Sequence, residues 1–128
     1  MIVLDASILI AHLDASDSHH DRAEVLLANS GNEDLITSVV TLAEVLVGPS
    51  RSGIVDRALI ALEQLGVTAV AIEPTGALRL ARLRTETGLK LPDCCLLLTA
   101  EQTDAALASF DLRLAAAARD RGVRVTAG

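Results

Sequence analysis

At 128 residues the chain has the length of one domain and can bury a real hydrophobic core. Hydrophobic residues make up 51% of it, with Phe110 the one aromatic, so that core must be aliphatic. The net charge of −6 argues against a broad basic surface that grips nucleic acid by charge alone; nucleic-acid chemistry would need local arginines and metal ions to offset that field.

The apolar run Ile2–Leu4 predicts a buried strand that delivers Asp5 and Ser7 to its carboxyl end. Ser7 can cap a short helix, Ile8–Leu13, and a second helix is expected from about His19 to Ala28. Leu35–Thr37 reads as a second strand. The helix after it, Val39 to Val47, is apolar on nearly every side, which predicts burial all round, with Glu44 as its one charged residue. Gly48–Gly53 reads as a loop.

Ile54 to Leu65 is amphipathic, with Val55, Ala58, Leu59 and Leu62 on one face, and Gly66 stops it. Val67–Ile72 is rich in β-branched residues and reads as a third strand. Pro74 opens a helix to about Thr87 with Ala77, Leu80, Ala81 and Leu83 inward. Pro92 suits the first position of another helix, to about Thr103. Ala105–Phe110 is the expected fourth strand, Asp111–Arg121 the last helix, and Val123–Val125 a short fifth strand. Strands alternating with helices predict a single α/β domain over residues 1–128: a parallel sheet with helices on both faces. Ligands of such folds bind at the carboxyl edge of the sheet.

Adjacent Cys94 and Cys95 have no metal-ligand spacing and read as small buried apolar residues, in keeping with a reducing compartment. The first segment lacks a basic start, and no apolar run approaches the ~20 residues of a membrane span. A soluble, cytoplasmic protein is expected.

Four acids carry the chemistry. Each has an ordinary structural role available: Asp5 marks a strand end, and Glu44 follows Thr41 with capping-box spacing. Asp93 lies in a helix's first turn, and Asp111 suits an N-cap. Yet strand ends and helix starts in this architecture share the carboxyl edge, so these separate roles gather the acids in one place. A like-charge pair at ~4 Å costs about 4 kcal/mol at an effective dielectric of about 20. Lys90 and Arg113, the nearest basic residues along the chain, neutralise only part of such a cluster. Carboxylates and a hydroxyl, Ser7, without Cys or a consistent His set, suit Mg²⁺ or Mn²⁺. Such an ion lowers the pKa of an attacking water, and a second one stabilises a leaving oxygen, which points to phosphodiester hydrolysis.

The motifs Ile-Val-Leu-Asp5-Ala-Ser7, Thr-Leu-Ala-Glu44-Val-Leu, Leu-Pro-Asp93-Cys-Cys-Leu and Ala-Ser109-Phe-Asp111-Leu-Arg-Leu occur in this order over essentially the whole chain. Together they resemble the PIN-domain ribonucleases, and within them the VapC-type toxins of bacterial toxin–antitoxin pairs. Many relatives carry Asp-Thr-Ser where this chain has Asp5-Ala6-Ser7, and a Thr where it has Ser109; both hydroxyls are retained. The resemblance implies a four- or five-stranded parallel sheet and a Mg²⁺- or Mn²⁺-dependent endoribonuclease site. It further implies a homodimer, or a heterotetramer or larger assembly with a cognate VapB-type antitoxin. An antitoxin segment would lie over the acidic groove, and the apolar faces of the second and fourth helices are candidates for the dimer interface.

Asp5, Glu44, Asp93 and Asp111 are therefore assigned to metal binding and catalysis, with Asp5 and Asp93 first as direct ligands. Ser7 and Ser109 stand behind them, and Arg51, Lys90 and Arg113 are candidate phosphate contacts. His19 and His20 read as exposed, and His12 joins no ligand set; Phe110 reads as core rather than a base-stacking platform. The competing functions are a non-catalytic protein-binding module and a metal-dependent DNA nuclease. A receiver-like phosphoacceptor fits poorly: its Lys after strand five is missing, where Thr126-Ala127-Gly128 stands.

Overall fold

The structure is a computed structural model that describes residues 1–126; Ala127 and Gly128, the end of the predicted domain and of the stretch after strand five, lie outside the described residues. Strands β1 (Ile2–Leu4), β2 (Leu35–Ser38), β3 (Thr68–Val70), β4 (Ala106–Ala108) and β5 (Val125–Thr126) form one sheet in the order β3-β2-β1-β4-β5. Every pairing is parallel. The helices are α1 (Ala6–Leu13), α2 (His20–Asn29), α3 (Val39–Arg51), α4 (Val55–Leu65), α5 (Ala77–Thr87), α6 (Leu91–Thr103) and α7 (Leu112–Asp120). A 3₁₀ turn, Pro74–Gly76, leads into α5 where a continuous helix was predicted. None of these helices is long and apolar enough to cross a membrane.

Three layers follow from the two-residue period of the strands. Val3, Ile36 and Leu107 point to one face, where Leu83, Leu96, Leu97, Leu98, Leu114 and Ala118 of α5, α6 and α7 cover them. Ile2, Leu4, Leu35 and Ala108 point to the other, against Ile8, Leu9, Ala23, Leu27, Val45 and Leu62 of α1 to α4. The central strands are buried on both faces, which explains why they read as plain apolar runs. Cys94 and Cys95 are free and buried in this packing, as expected.

The strand order places the site. The chain winds outward from β1 through β2 to β3, then returns to the other side of β1 as β4. Two crossovers therefore diverge beside β1, which makes the carboxyl ends of β1 and β4 the topological switch point, the place where ligands of such folds bind.

Several sequence expectations need correction. Helix α3 does not stop at Val47: it runs through Gly48 and Pro49 to Arg51, so most of the predicted loop is helical. Interior Gly and Pro cost about 1 and 3 kcal/mol, so packing of the helix outweighs local propensity here. Nor is α3 buried all round. Thr41 and Val45 face the core, while Val39, Val40 and Val47 are exposed, because α3 packs beneath the sheet on one side only. Of the faces predicted for α4 and α5, Ala58, Leu62 and Leu83 are buried, but Leu59, Ala77 and Ala81 are exposed. His20 is half-buried, donating from Nδ1 to the Ala11 carbonyl at 2.6 Å.

Candidate active site

Asp5 sits at the switch point, one residue past β1, and is 4% exposed. Its extended backbone (φ −83°, ψ 172°) makes it the N-cap of α1, a role the sequence reading had given to Ser7. Oδ1 accepts from Ile8 N at 3.1 Å and from Ser7 Oγ at 2.7 Å. Oδ2 accepts from Ser109 Oγ. The carboxyl pKa is nevertheless raised: burial outweighs the three donors, and the charge of Asp111 adds to it.

Ser109 is the joint of the site. Its hydroxyl donates to Asp5 and accepts from Asp111 N at 2.9 Å, so one buried side chain ties the end of β1 to the start of α7. Asp111 caps α7, accepting from Arg113 N at 2.9 Å and Leu114 N at 3.2 Å through Oδ1, and is exposed to solvent. Asp93 lies in the first turn of α6, half-buried. Its pKa is raised by burial first, then by the charges of Asp111 and Asp5, against the opposing charges of Lys90 and Arg113. Glu44, exposed on α3, is raised by partial desolvation first, then by Asp93 and Asp5, with Lys90 opposing.

All four predicted acids therefore share one electrostatic neighbourhood. Lys90 and Arg113 border it, and Arg113 also donates from Nη2 to the Gly88 carbonyl at 3.4 Å. Arg51, the last residue of α3, lies seven positions past Glu44, about 10 Å along the helix axis, and takes no part in these shifts.

Two buried residues that the sequence reading passed over build the Glu44 side. Ser38, not Thr41, is the N-cap of α3, and its hydroxyl accepts from Thr41 N at 3.0 Å while donating to Thr41 Oγ1 at 2.9 Å. Thr41 is thus absorbed by Ser38, and the expected capping box with Glu44 is not formed. Thr37 Oγ1 donates to the Leu4 carbonyl at 2.8 Å, clamping β2 to the end of β1 just before Asp5. A Thr-Ser pair between a β-branched run and a helix is an N-cap signal that could have found Ser38.

Phe110 lies between Ser109 and Asp111 in the chain and packs against the core cluster that includes the α1 and α2 residues. His19 stacks on its ring, with centroids 5.4 Å apart and planes 20° apart. The Arg22 guanidinium lies 4.3 Å from the same ring centroid.

The donor set is carboxylate and hydroxyl oxygen. Among the described residues no three Asp, Glu, His or Cys side chains converge on one point closely enough to cage an ion. These residues fit a hydrated hard cation of the Mg²⁺ kind, which uses one or two carboxylates and keeps several waters. A closed zinc-like site does not fit.

Comparison with known proteins agrees with the fold. The model of the PIN domain family matches residues 2–120. The chain belongs to the PIN domain family. No curated protein sequence matches it significantly. Among solved structures, VapC20 of Mycobacterium tuberculosis, a sarcin–ricin loop cleaving toxin, superimposes with a TM-score of 0.75 at 19% identity, over 91% of this chain and 95% of that one. A chain of a toxin–antitoxin complex from Klebsiella pneumoniae gives 0.73 at 27% identity, over 91% of each. A chain of VapBC2 from Rickettsia felis, bound to promoter DNA, gives 0.71 at 18% identity, over 99% of this chain and 98% of that one.

Proposed function

We propose that this chain is the toxin of a VapBC-type toxin–antitoxin pair and hydrolyses RNA phosphodiester bonds at the four-acid centre. The observation that carries the reading is the mutual coupling of Asp5, Glu44 and Asp93, with Asp111, at the switch point. Burial first, and then the neighbouring acid charges, raise the pKa of Asp5, Glu44 and Asp93, and a divalent cation among them would relieve that repulsion. The 27% identity to a chain of a toxin–antitoxin complex supports the biological class.

Asp5 and Asp93 would hold the cation, with Glu44 and Asp111 acting directly or through waters. Bound there, Mg²⁺ supplies an activated water and stabilisation of the leaving oxygen, and Mn²⁺ is expected to substitute. The chain's own contribution is positional. Ser7, Ser109 and Ile8 N fix both oxygens of Asp5, so its orientation is set before any substrate arrives. Lys90 and Arg113 border the acids and would meet the phosphates flanking the scissile one.

The partner would be a VapB-type antitoxin whose basic residue supplies the counter-charge that the acids lack. The exposed Val39, Val47, Ile54, Leu59 and Ile60 of the α3–α4 region offer apolar contact area for a second subunit, in a homodimer or in a larger toxin–antitoxin assembly.

The test is induced expression with and without the neighbouring gene, followed by mapping of RNA 5′ ends, and cleavage by the purified protein with Mg²⁺ or EDTA. Discrete cuts in RNA that EDTA and Asp5→Asn abolish are expected. Cleavage of DNA alone would select the DNA-nuclease reading. Cleavage that survives Asp5→Asn in a folded protein, or an absence of cleavage beside tight antitoxin binding, would overturn the catalytic assignment.

A further inference from the structure

The only aromatic residue of the chain occupies the position between the two residues that join Asp5 to α7. Consecutive Cα atoms are about 3.8 Å apart, so Phe110 stands one short step from Asp111 and one from Ser109. One part of its ring is in the core beside the α1 and α2 residues. His19 continues the stack outward, near parallel, and its side chain remains 48% exposed. One face of the imidazole lies toward Phe110, and its Nδ1 is 3.7 Å from Asp17 Oδ1. Arg22 holds its guanidinium carbon 4.3 Å from the centroid of the same phenyl ring, a cation–π contact.

We propose that His19, backed by Phe110 and flanked by Arg22, is a stacking platform for one unpaired nucleobase of the RNA, next to the scissile phosphate. The inference rests on the nuclease reading and adds a base-binding subsite to it. Three observations carry it. The two rings are ordered as a continuous stack whose outer member is half in water. The stack begins on Phe110, the residue between Ser109 and Asp111 of the acid centre. A cation, Arg22, sits at the stack, in a chain whose net charge of −6 otherwise repels RNA. Unpaired bases stack on aromatic, His and Arg planes without needing base-edge contacts. The platform therefore selects single-stranded or looped RNA over duplex, whose bases are already stacked.

The test separates this subsite from the catalytic reading by measuring binding apart from cleavage. A short fluorescent single-stranded RNA of mixed sequence is titrated with protein in Mg²⁺, all variants carrying Asp5→Asn so that the probe is not consumed. His19→Ala should weaken binding about tenfold, the range of one lost base stack. His19→Phe should restore it, because a phenyl ring stacks without the imidazole nitrogens. A duplex of the same sequence should bind more weakly and be insensitive to either change. In the protein with Asp5 intact, His19→Ala should raise KM for RNA cleavage and leave kcat within about twofold, since the acids are untouched. Equal RNA affinity for His19→Ala and its parent overturns the proposal, as does failure of His19→Phe to restore what His19→Ala loses. Loss of cleavage by the protein with Asp5 intact would instead overturn the nuclease reading, while the binding titration still decides the platform.

Discussion

Helix α6 carries two acids that the fold treats in opposite ways. Glu101, near its end, accepts from Arg121 Nε at 2.7 Å and Arg79 Nη2 at 3.0 Å. Arg121 Nη1 also reaches Glu86 at 3.0 Å, and these bonds, Glu101 first, raise the guanidinium pKa. Asp93 lies eight positions earlier, about 12 Å along the same axis, and among the described residues it has no basic side chain within ion-pair distance. Burial first, and then the charges of Asp111 and Asp5, push its pKa up. The chain can thus neutralise acids with arginines, and does so at the amino end of the sheet. At the carboxyl end it holds acids together against their repulsion. Surface pairs such as Glu101–Arg121 contribute at most about 1 kcal/mol, so the contrast concerns where a cation is admitted rather than global stability.

The largest expected effect breaks that contrast directly. Asp93→Asn should reduce RNA cleavage at least about 10²-fold, because it removes a proposed ligand from the four-acid centre. Glu101→Gln, the same chemical change on the same helix, should leave cleavage within about twofold. Circular dichroism and thermal melts would show that both fold. Comparable losses of activity in the two variants would mean that α6 matters as a scaffold and that Asp93 has no special role.

An intermediate effect is expected at Ser109. Ser109→Ala removes the donor to Asp5 Oδ2 and the acceptor of Asp111 N together. Outer partners of metal ligands typically contribute 10- to 100-fold, so activity at limiting Mg²⁺ should fall about tenfold. The apparent Mg²⁺ affinity should weaken in parallel, and Ser109→Thr, which keeps the hydroxyl, should restore most of both. A loss that saturating Mg²⁺ fails to relieve would argue that Ser109 supports α7 rather than the acid centre.

How much of this contrast was legible in the sequence depends on the kind of residue. Asp5, Asp93 and Asp111 were readable because a strand end or helix start fixes where an acid must lie in a parallel α/β fold. The five-strand sheet was readable because its central strands are short apolar runs between helical periods. The exposure of α3 was not, since Val39, Val40 and Val47 have the composition of a core and only the packing partners decide the side that is covered. The length of α3 was misread for a related reason: Gly48-Pro49 is a strong local stop signal that tertiary contacts overrode. The Ser109 bridge joins residues 104 positions apart, and no local pattern encodes such a pairing. The stack of His19 on Phe110 is equally non-local: Phe110 packs against the core as its composition predicts, but nothing in the sequence names its ring partner.

The smallest effect, and the one that sharpens the contrast most, is on stability against pH. Asp5, Glu44 and Asp93 have pKa values raised above their ordinary 3.8 and 4.5, so between those values and neutrality the native state binds more protons than the unfolded chain. Their contribution to stability is complete below the ordinary values and is lost as pH rises through the raised ones. Without metal, Tm should therefore be higher near pH 5 than near pH 7. Asp14 and Glu33, held low by Ser16 and by the N-terminal ammonium respectively, work in the opposite direction and cap the gain as pH falls further. Saturating Mg²⁺ should remove or reverse the difference, because the cation binds only the ionised acids and stabilises the state that holds it. Asp93→Asn should shrink both the pH effect and the Mg²⁺ effect, while Glu101→Gln should change neither. Calorimetric melts of the three proteins at the two pH values, with and without Mg²⁺, measure all of this. A Tm that falls on acidification to pH 5 in metal-free wild-type protein, by as much as in Asp93→Asn, would mean that the carboxyl-edge acids are not held together against their charge.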